Sequence, residues 1–111
     1  MSTVSAITTH VLDTARGLPA AGLAVRLELL AAGGPVELAR ARTGDDGRVS
    51  DLGPAALQPG TYRLVFDSGG YFGGETFFPE VAVTFRLDGQ AGHWHVPLLL
   101  SPFGYTTYRG S

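Results

Sequence analysis

Three histidines, an arginine that follows a tight turn and a terminal Tyr-Arg-Gly-Ser are the residues of this 111-residue chain whose types and spacing bear most directly on chemistry. His93 and His95 stand two apart in the stretch HWHVPLLLSPFGYTTYRGS. On a strand, residues i and i+2 project from one face, so the two imidazoles present together while Trp94, Val96, Leu98 and Leu100 turn to the opposite, core side. An imidazole with an ordinary pKa of ~6.5 exchanges protons near neutrality, and a neutral ring is also a ready zinc ligand. Taken with His10, the pair fits an acid–base couple, a zinc site or two histidines on a solvated sheet, and spacing alone leaves all three open. Arg48 comes directly after Gly44-Asp45-Asp46-Gly47. It is either a solvated charge at a strand end or a planar fork of donors for a carbonyl oxygen or a developing oxyanion. Tyr108 is a packing aromatic whose hydroxyl wants a partner when covered. Ser111 lacks the Gly-x-Ser-x-Gly elbow of an activated nucleophile and is expected to hydrogen-bond instead.

Composition removes other chemistries. All eight basic residues are arginine, so there is no lysine for a Schiff base or a phosphate loop. Cysteine is absent, which excludes thiol nucleophiles, thiolate metal sites and disulfides. The formal charge of −2 offers no concentrated basic surface for nucleic acid or an anionic membrane. With no basic, apolar leader and no run near the ~20 apolar residues of a membrane span, the chain reads as soluble and cytoplasmic. The glycine pairs Gly69-Gly70 and Gly73-Gly74 lack the strand–glycine–helix frame of a phosphate cradle.

The elements that must position these groups are short strands. Val4 to Asp13 places His10 on a face with Ala6, Thr8 and Leu12, and turns Ile7, Thr9 and Val11 the other way. Asp13 to Ala20 reads as a turn. Leu23 to Leu30 alternates, with Leu23, Val25, Leu27 and Leu29 on one side and Arg26 and Glu28 on the other. AAGGP closes a hairpin to Val36 to Thr43, a short edge strand fits around Val49, and Asp51 to Gly60 is too broken by Gly and Pro for regular structure. Thr61 to Asp67 is a strand, Ser68 to Pro79 has room for one short helix, and Val81 to Leu87 alternates again. Asp88 to Gly92 turns, His93 to Leu100 is a strand, Ser101-Pro102 breaks it, and Gly104 to Ser111 forms the last. Termini are normally small and polar, whereas this one runs apolar and aromatic to its end and is expected to be ordered. Seven to eight strands at roughly ten-residue spacing, with 44% hydrophobic and 16% charged residues, predict an all-β, two-sheet sandwich filling a single domain over residues 1–111. Fold alone does not specify an activity.

The terminal stretch HWHVPLLLSPFGYTTYRGS strongly resembles the C-terminal signature of the transthyretin-related 5-hydroxyisourate hydrolases. His10-Val11-Leu12-Asp13, the Gly17 to Ala21 turn, Thr43 to Arg48 with its Asp-Gly-Arg, and Tyr62 to Phe66 also fall where that family's blocks do. The resemblance spans His10 to the last residue. It implies a transthyretin-like sandwich with His10, Arg48 and His95 as catalytic residues and Tyr108, Arg109, Gly110 and Ser111 as substrate-binding ones. It further implies a homotetramer, a dimer of dimers with sites at the subunit interface, and water-driven opening of 5-hydroxyisourate to 2-oxo-4-hydroxy-4-carboxy-5-ureidoimidazoline in urate breakdown, with no cofactor or metal. Trp94 stands where the family usually has tyrosine, and Gly44 where many members carry a larger polar residue. The alternatives are a small-ligand carrier like the transthyretins, which resemble the chain but lack the Tyr-Arg-Gly-Ser ending and the full His, Arg, His set, and a zinc-binding sandwich without catalysis.

Overall fold

The computed structural model describes residues 4–88 and 92–111. In chain order the elements are β1 (Ile7–Asp13), β2 (Leu18–Pro19), β3 (Ala24–Ala31), β4 (Gly34–Arg42), β5 (Arg48–Val49), β6 (Gly60–Phe66), α1 (Ser68–Tyr71), β7 (Val81–Leu87), β8 (Trp94–Ser101) and β9 (Gly104–Thr107). Two sheets form the all-β sandwich expected from the alternation. One runs β4-β3-β6-β7 with antiparallel neighbours; the other runs β2-β1-β8-β9, with β5 also paired to β1.

Alternation decides the packing. Ile7, Val11, Leu98 and Leu100 of one sheet, and Val25, Leu27, Leu64 and Phe66 of the other, are buried between the layers. Each fully buried side chain of this size contributes about 1.5–3 kcal/mol through removal of apolar surface from water. Because β1 and β8 give their odd and even positions respectively to this core, Thr8, His10, His95 and Pro97 are left on the outer face of the sheet.

Several boundaries differ from expectation. β1 begins at Ile7, since Ser5 and Ala6 pair with the 50–54 loop through Ser5 N–H to the Ser50 carbonyl and Ala6 N–H to the Pro54 carbonyl. The Asp13 to Ala20 turn contains a two-residue strand, β2, paired with the end of β1. β9 stops at Thr107, and beyond it the tail touches β8 through a single bridge, His95 to Gly110. Of the expected turn from Asp88 to Gly92, residues 89–91 lie outside the described residues. No helix among the described residues is long and apolar enough to cross a membrane.

The pairing that matters most for the outer face is parallel: β1 and β8 run side by side with Thr8 opposite His95 and His10 opposite Pro97. On its other edge β1 meets β5 antiparallel, with His10 opposite Arg48. The end of β1 is anchored by Asp13, whose side chain is fully buried. Its Oδ1 accepts from the Ala15 and Arg16 amides at 3.1 Å and its Oδ2 from the Tyr71 hydroxyl at 2.8 Å. Burial and the adjacent carboxylate hold the Tyr71 phenol above its ordinary pKa, so it stays a donor. Asp13→Ala strands those donors and is expected to lower stability by roughly 1–3 kcal/mol. Urea denaturation checks this; a midpoint equal to that of the wild type would show that the anchor contributes nothing.

Candidate functional site

The outer face of β1, β5 and β8 gathers most of the residues singled out by chemistry. An open cleft of ≈ 420 Å³ there is lined by Thr8, Arg48, Ser50, His93, His95 and Ser111, among others. His10 lies on the same face of β1 as Thr8, directly opposite Arg48 in the β1–β5 pair.

Arg48 is held by the turn before it. The Gly47 amide donates to the Gly44 carbonyl at 2.9 Å, the Gly44 amide to the Arg48 carbonyl at 3.0 Å, and the Arg48 amide to Asp46 Oδ1 at 3.0 Å. The Arg48 side chain is 56% exposed, and its Nε lies 4.0 Å from Asp46 Oδ2, too long and too solvated to neutralise it strongly. His10 Nε2–H donates to the Asp46 carbonyl at 2.9 Å, tying β1 to the same turn. A carbonyl only accepts, so Nε2 of His10 carries a proton and is not free to remove one from water.

His95 is placed differently. Its Nδ1 and the Thr8 hydroxyl are 2.9 Å apart, and Nε2 of His93 lies at the same 2.9 Å from that hydroxyl. Among the described residues no hydrogen bond engages His95 Nε2. The ring is half-buried, and its pKa is lowered from the ordinary imidazole value chiefly by burial, then by the positive charge of Arg48 and the nearby His93 and His10. At neutral pH His95 is therefore a neutral ring with an unengaged nitrogen.

The tail closes one side of the cleft. The Gly110 amide donates to the His95 carbonyl at 2.8 Å. A Cβ on Gly110 would come within 2.8 Å of His95 Cδ2 and 3.1 Å of Pro97 Cγ, so only glycine lets the backbone lie flat on the imidazole. Ser111 then enters the cleft. Tyr108 and Arg109 line a neighbouring cleft of ≈ 250 Å³ beside Val83, Phe85 and Trp94, and His95 borders both clefts.

Arg48, His95 and Ser111 thus line one cleft, Tyr108 and Arg109 line the next with His95 shared between the two, and His10 and Gly110 adjoin through the β1–β5 pair and the bridge to His95. Thr8 belongs to the arrangement without having been named as a site residue, and His93, a candidate from the His-x-His spacing, joins it through the Thr8 hydroxyl. Thr8 was discoverable as the residue two before His10, on the same strand face. Among the described residues no group of three His, Asp or Glu side chains is placed to hold a metal ion. What the arrangement offers is a neutral imidazole, a guanidinium and a hydroxyl around one open cleft.

Residues 7–110 match the model of the HIUase/Transthyretin family. The chain is 50% identical over 113 residues to the 5-hydroxyisourate hydrolase of Mus musculus, with 96% of each chain covered. Among solved structures it is similar to 5-hydroxyisourate hydrolase of Klebsiella pneumoniae, with a TM-score of 0.84, 36% identity and 96% and 99% of the two chains covered. It is also similar to sea bream transthyretin in complex with thyroxine, with a TM-score of 0.85, 29% identity and coverage of 95% and 94%.

Proposed function

The chain belongs to the HIUase/Transthyretin family, and from that premise we propose how it works as a 5-hydroxyisourate hydrolase of urate breakdown. The observation that carries the reading is the outer face of β1, β5 and β8, where a neutral His95 and the Arg48 guanidinium border the same cleft. Hydrolysis of a ring carbonyl–nitrogen bond needs a base for water, a partner for the oxyanion and a means of holding the ring. His95 Nε2 takes a proton from water as the water oxygen bonds to the ring carbonyl carbon. Arg48 meets the negative charge that forms on the carbonyl oxygen. The carbonyl–nitrogen bond then breaks, and the departing ring nitrogen receives the proton held by His95, leaving a carboxyl group and a ureido arm. His10, with Nε2 committed to the Asp46 carbonyl, holds the turn that carries Arg48.

Ser111 and the Gly110 backbone hold the edge of the substrate, and Tyr108 and Arg109 contribute to its binding from the adjoining cleft that His95 also borders. No cofactor takes part in this scheme. An exposed sheet face becomes an enclosed site when another subunit covers it, and the proposal includes a homotetramer, a dimer of dimers of one-domain subunits, with the cleft at a subunit interface. A cytoplasmic setting completes it.

The carrier alternative draws on a fold shared almost equally, with TM-scores of 0.84 and 0.85 for the two kinds of neighbour. Sequence favours the hydrolase: among the solved structures identity is 36% to the Klebsiella hydrolase and 29% to sea bream transthyretin, and it is 50% to the mouse hydrolase. The deciding assay follows the transient ultraviolet absorbance of 5-hydroxyisourate made freshly from urate. Purified protein is expected to accelerate its loss. Decay at the spontaneous rate, with saturable binding of an aromatic ligand, would replace the hydrolase with a carrier.

A further inference from the structure

The Thr8 hydroxyl lies 2.9 Å from Nε2 of His93 and 2.9 Å from Nδ1 of His95. It is the only side-chain group between the two rings in these contacts, and Thr8 is 6% exposed, so little water competes for it. A hydroxyl has one proton to give. It therefore donates to one imidazole and accepts from the other, and the direction it takes fixes which nitrogen of His95 carries hydrogen.

We propose that Thr8 and His93 are positioning residues that set the ring of His95 as the Nδ1–H tautomer, leaving Nε2 bare toward the cleft. In this arrangement His95 Nδ1–H donates to Thr8 Oγ1, and the Thr8 hydroxyl donates to an unprotonated Nε2 of His93. Run the other way, the Thr8 proton occupies the lone pair on His95 Nδ1, the hydrogen of the ring sits on Nε2, and the cleft faces a donor that cannot remove a proton. The inference rests on the hydrolase reading for its catalytic consequence, but the tautomer is a property of the protein alone.

The fold supplies the geometry. The parallel β1–β8 register sets Thr8 beside His95, and His93, two residues before His95, shares its side of the strand. His93 is exposed, so its ring is free to present Nε2 to the hydroxyl with its own proton on Nδ1.

The chain has three histidines, which keeps the ring signals few enough to assign individually. Nitrogen-15 NMR of histidine-labelled protein, recorded above the titration of His95, is expected to show Nδ1 protonated and Nε2 bare. Thr8→Val preserves shape while removing the hydroxyl; it should depopulate the Nδ1–H form and lower kcat roughly 10–100-fold with KM little changed. Thr8→Ser should restore both. His93→Leu removes the acceptor, freeing the Thr8 proton to turn toward His95, and should shift the ring to Nε2–H. A wild-type His95 found as Nε2–H, or a Thr8→Val protein with unaltered ring signals and kcat, overturns the proposal. A wild-type protein with the expected tautomer and no turnover would count against the hydrolase reading alone.

Discussion

His95→Ala is expected to lower kcat on 5-hydroxyisourate about 10²–10⁴-fold, the usual worth of a positioned general base, while the sandwich stays folded. The core side of β8 is carried by Val96, Leu98 and Leu100, which the substitution does not touch. Alanine does remove the ring on which Gly110 rests, so loss of tail order has to be separated from loss of the base. His95→Asn does that: its amide nitrogen reaches the place of Nδ1 and can still donate to Thr8, but it offers no base. An equal loss in both variants assigns the effect to the imidazole. If His95→Asn keeps more than a tenth of the wild-type kcat, another group removes the proton.

The same residue predicts a pH profile. Burial first, and the charges of Arg48, His93 and His10 after it, lower the His95 pKa. The acidic limb of kcat/KM should therefore fall below the ordinary imidazole value of ~6.5. Arg48→Met removes one of the lesser causes and should move the limb upward without bringing it all the way to that value. Linkage has a definite sign here: in the window below ~6.5 the unfolded chain binds a proton at this position that the folded chain does not. The contribution of His95 to stability is consequently intact above that window and is lost as pH falls through it.

Strand identity was legible because burial alternates along these segments, as with Leu23, Val25 and Leu27 entering β3, and Val96, Leu98 and Leu100 in β8. The same rule placed His95 and His10 on outward faces. Which outward residues become neighbours was not legible, since that depends on the parallel register of β1 against β8, two strands separated by most of the chain. Thr8 accordingly went unnamed although its strand face was assigned. The last strand was drawn too long for a related reason, since β9 ends at Thr107. Alternation applies while a strand is paired, and past Thr107 the chain is fixed by the Gly110 bridge, with Tyr108 and Arg109 beside Val83, Phe85 and Trp94. His10 was legible as a site residue, but the commitment of its Nε2 to the Asp46 carbonyl depends on how the turn folds back on β1.

That turn carries the second large effect. Gly47→Ala is expected to lower both stability and turnover, although it changes no group that meets substrate. Gly47 has φ of +78°, a backbone conformation that costs a non-glycine residue about 1–3 kcal/mol. Its carbonyl also accepts from the Val11 amide at 2.8 Å, holding the turn against β1. A Cβ there would run into the Val11 carbonyl oxygen and come within 3.1 Å of Pro19 Cβ and 3.3 Å of the Ala20 nitrogen, all of them constrained by strand pairing. Relief requires the turn to lift from β1, and Arg48 is the next residue. Displacement of a catalytic group by about 1 Å can cost 10²-fold in rate, so kcat per folded molecule should fall by about that factor. Gly22→Ala is the control: its φ of +74° imposes similar strain, but nothing lies within 4 Å of the added carbon. It should lose about 1 kcal/mol or more in urea denaturation and keep its kcat. If Gly47→Ala loses stability but retains full kcat in its folded fraction, Arg48 is positioned by something other than this turn.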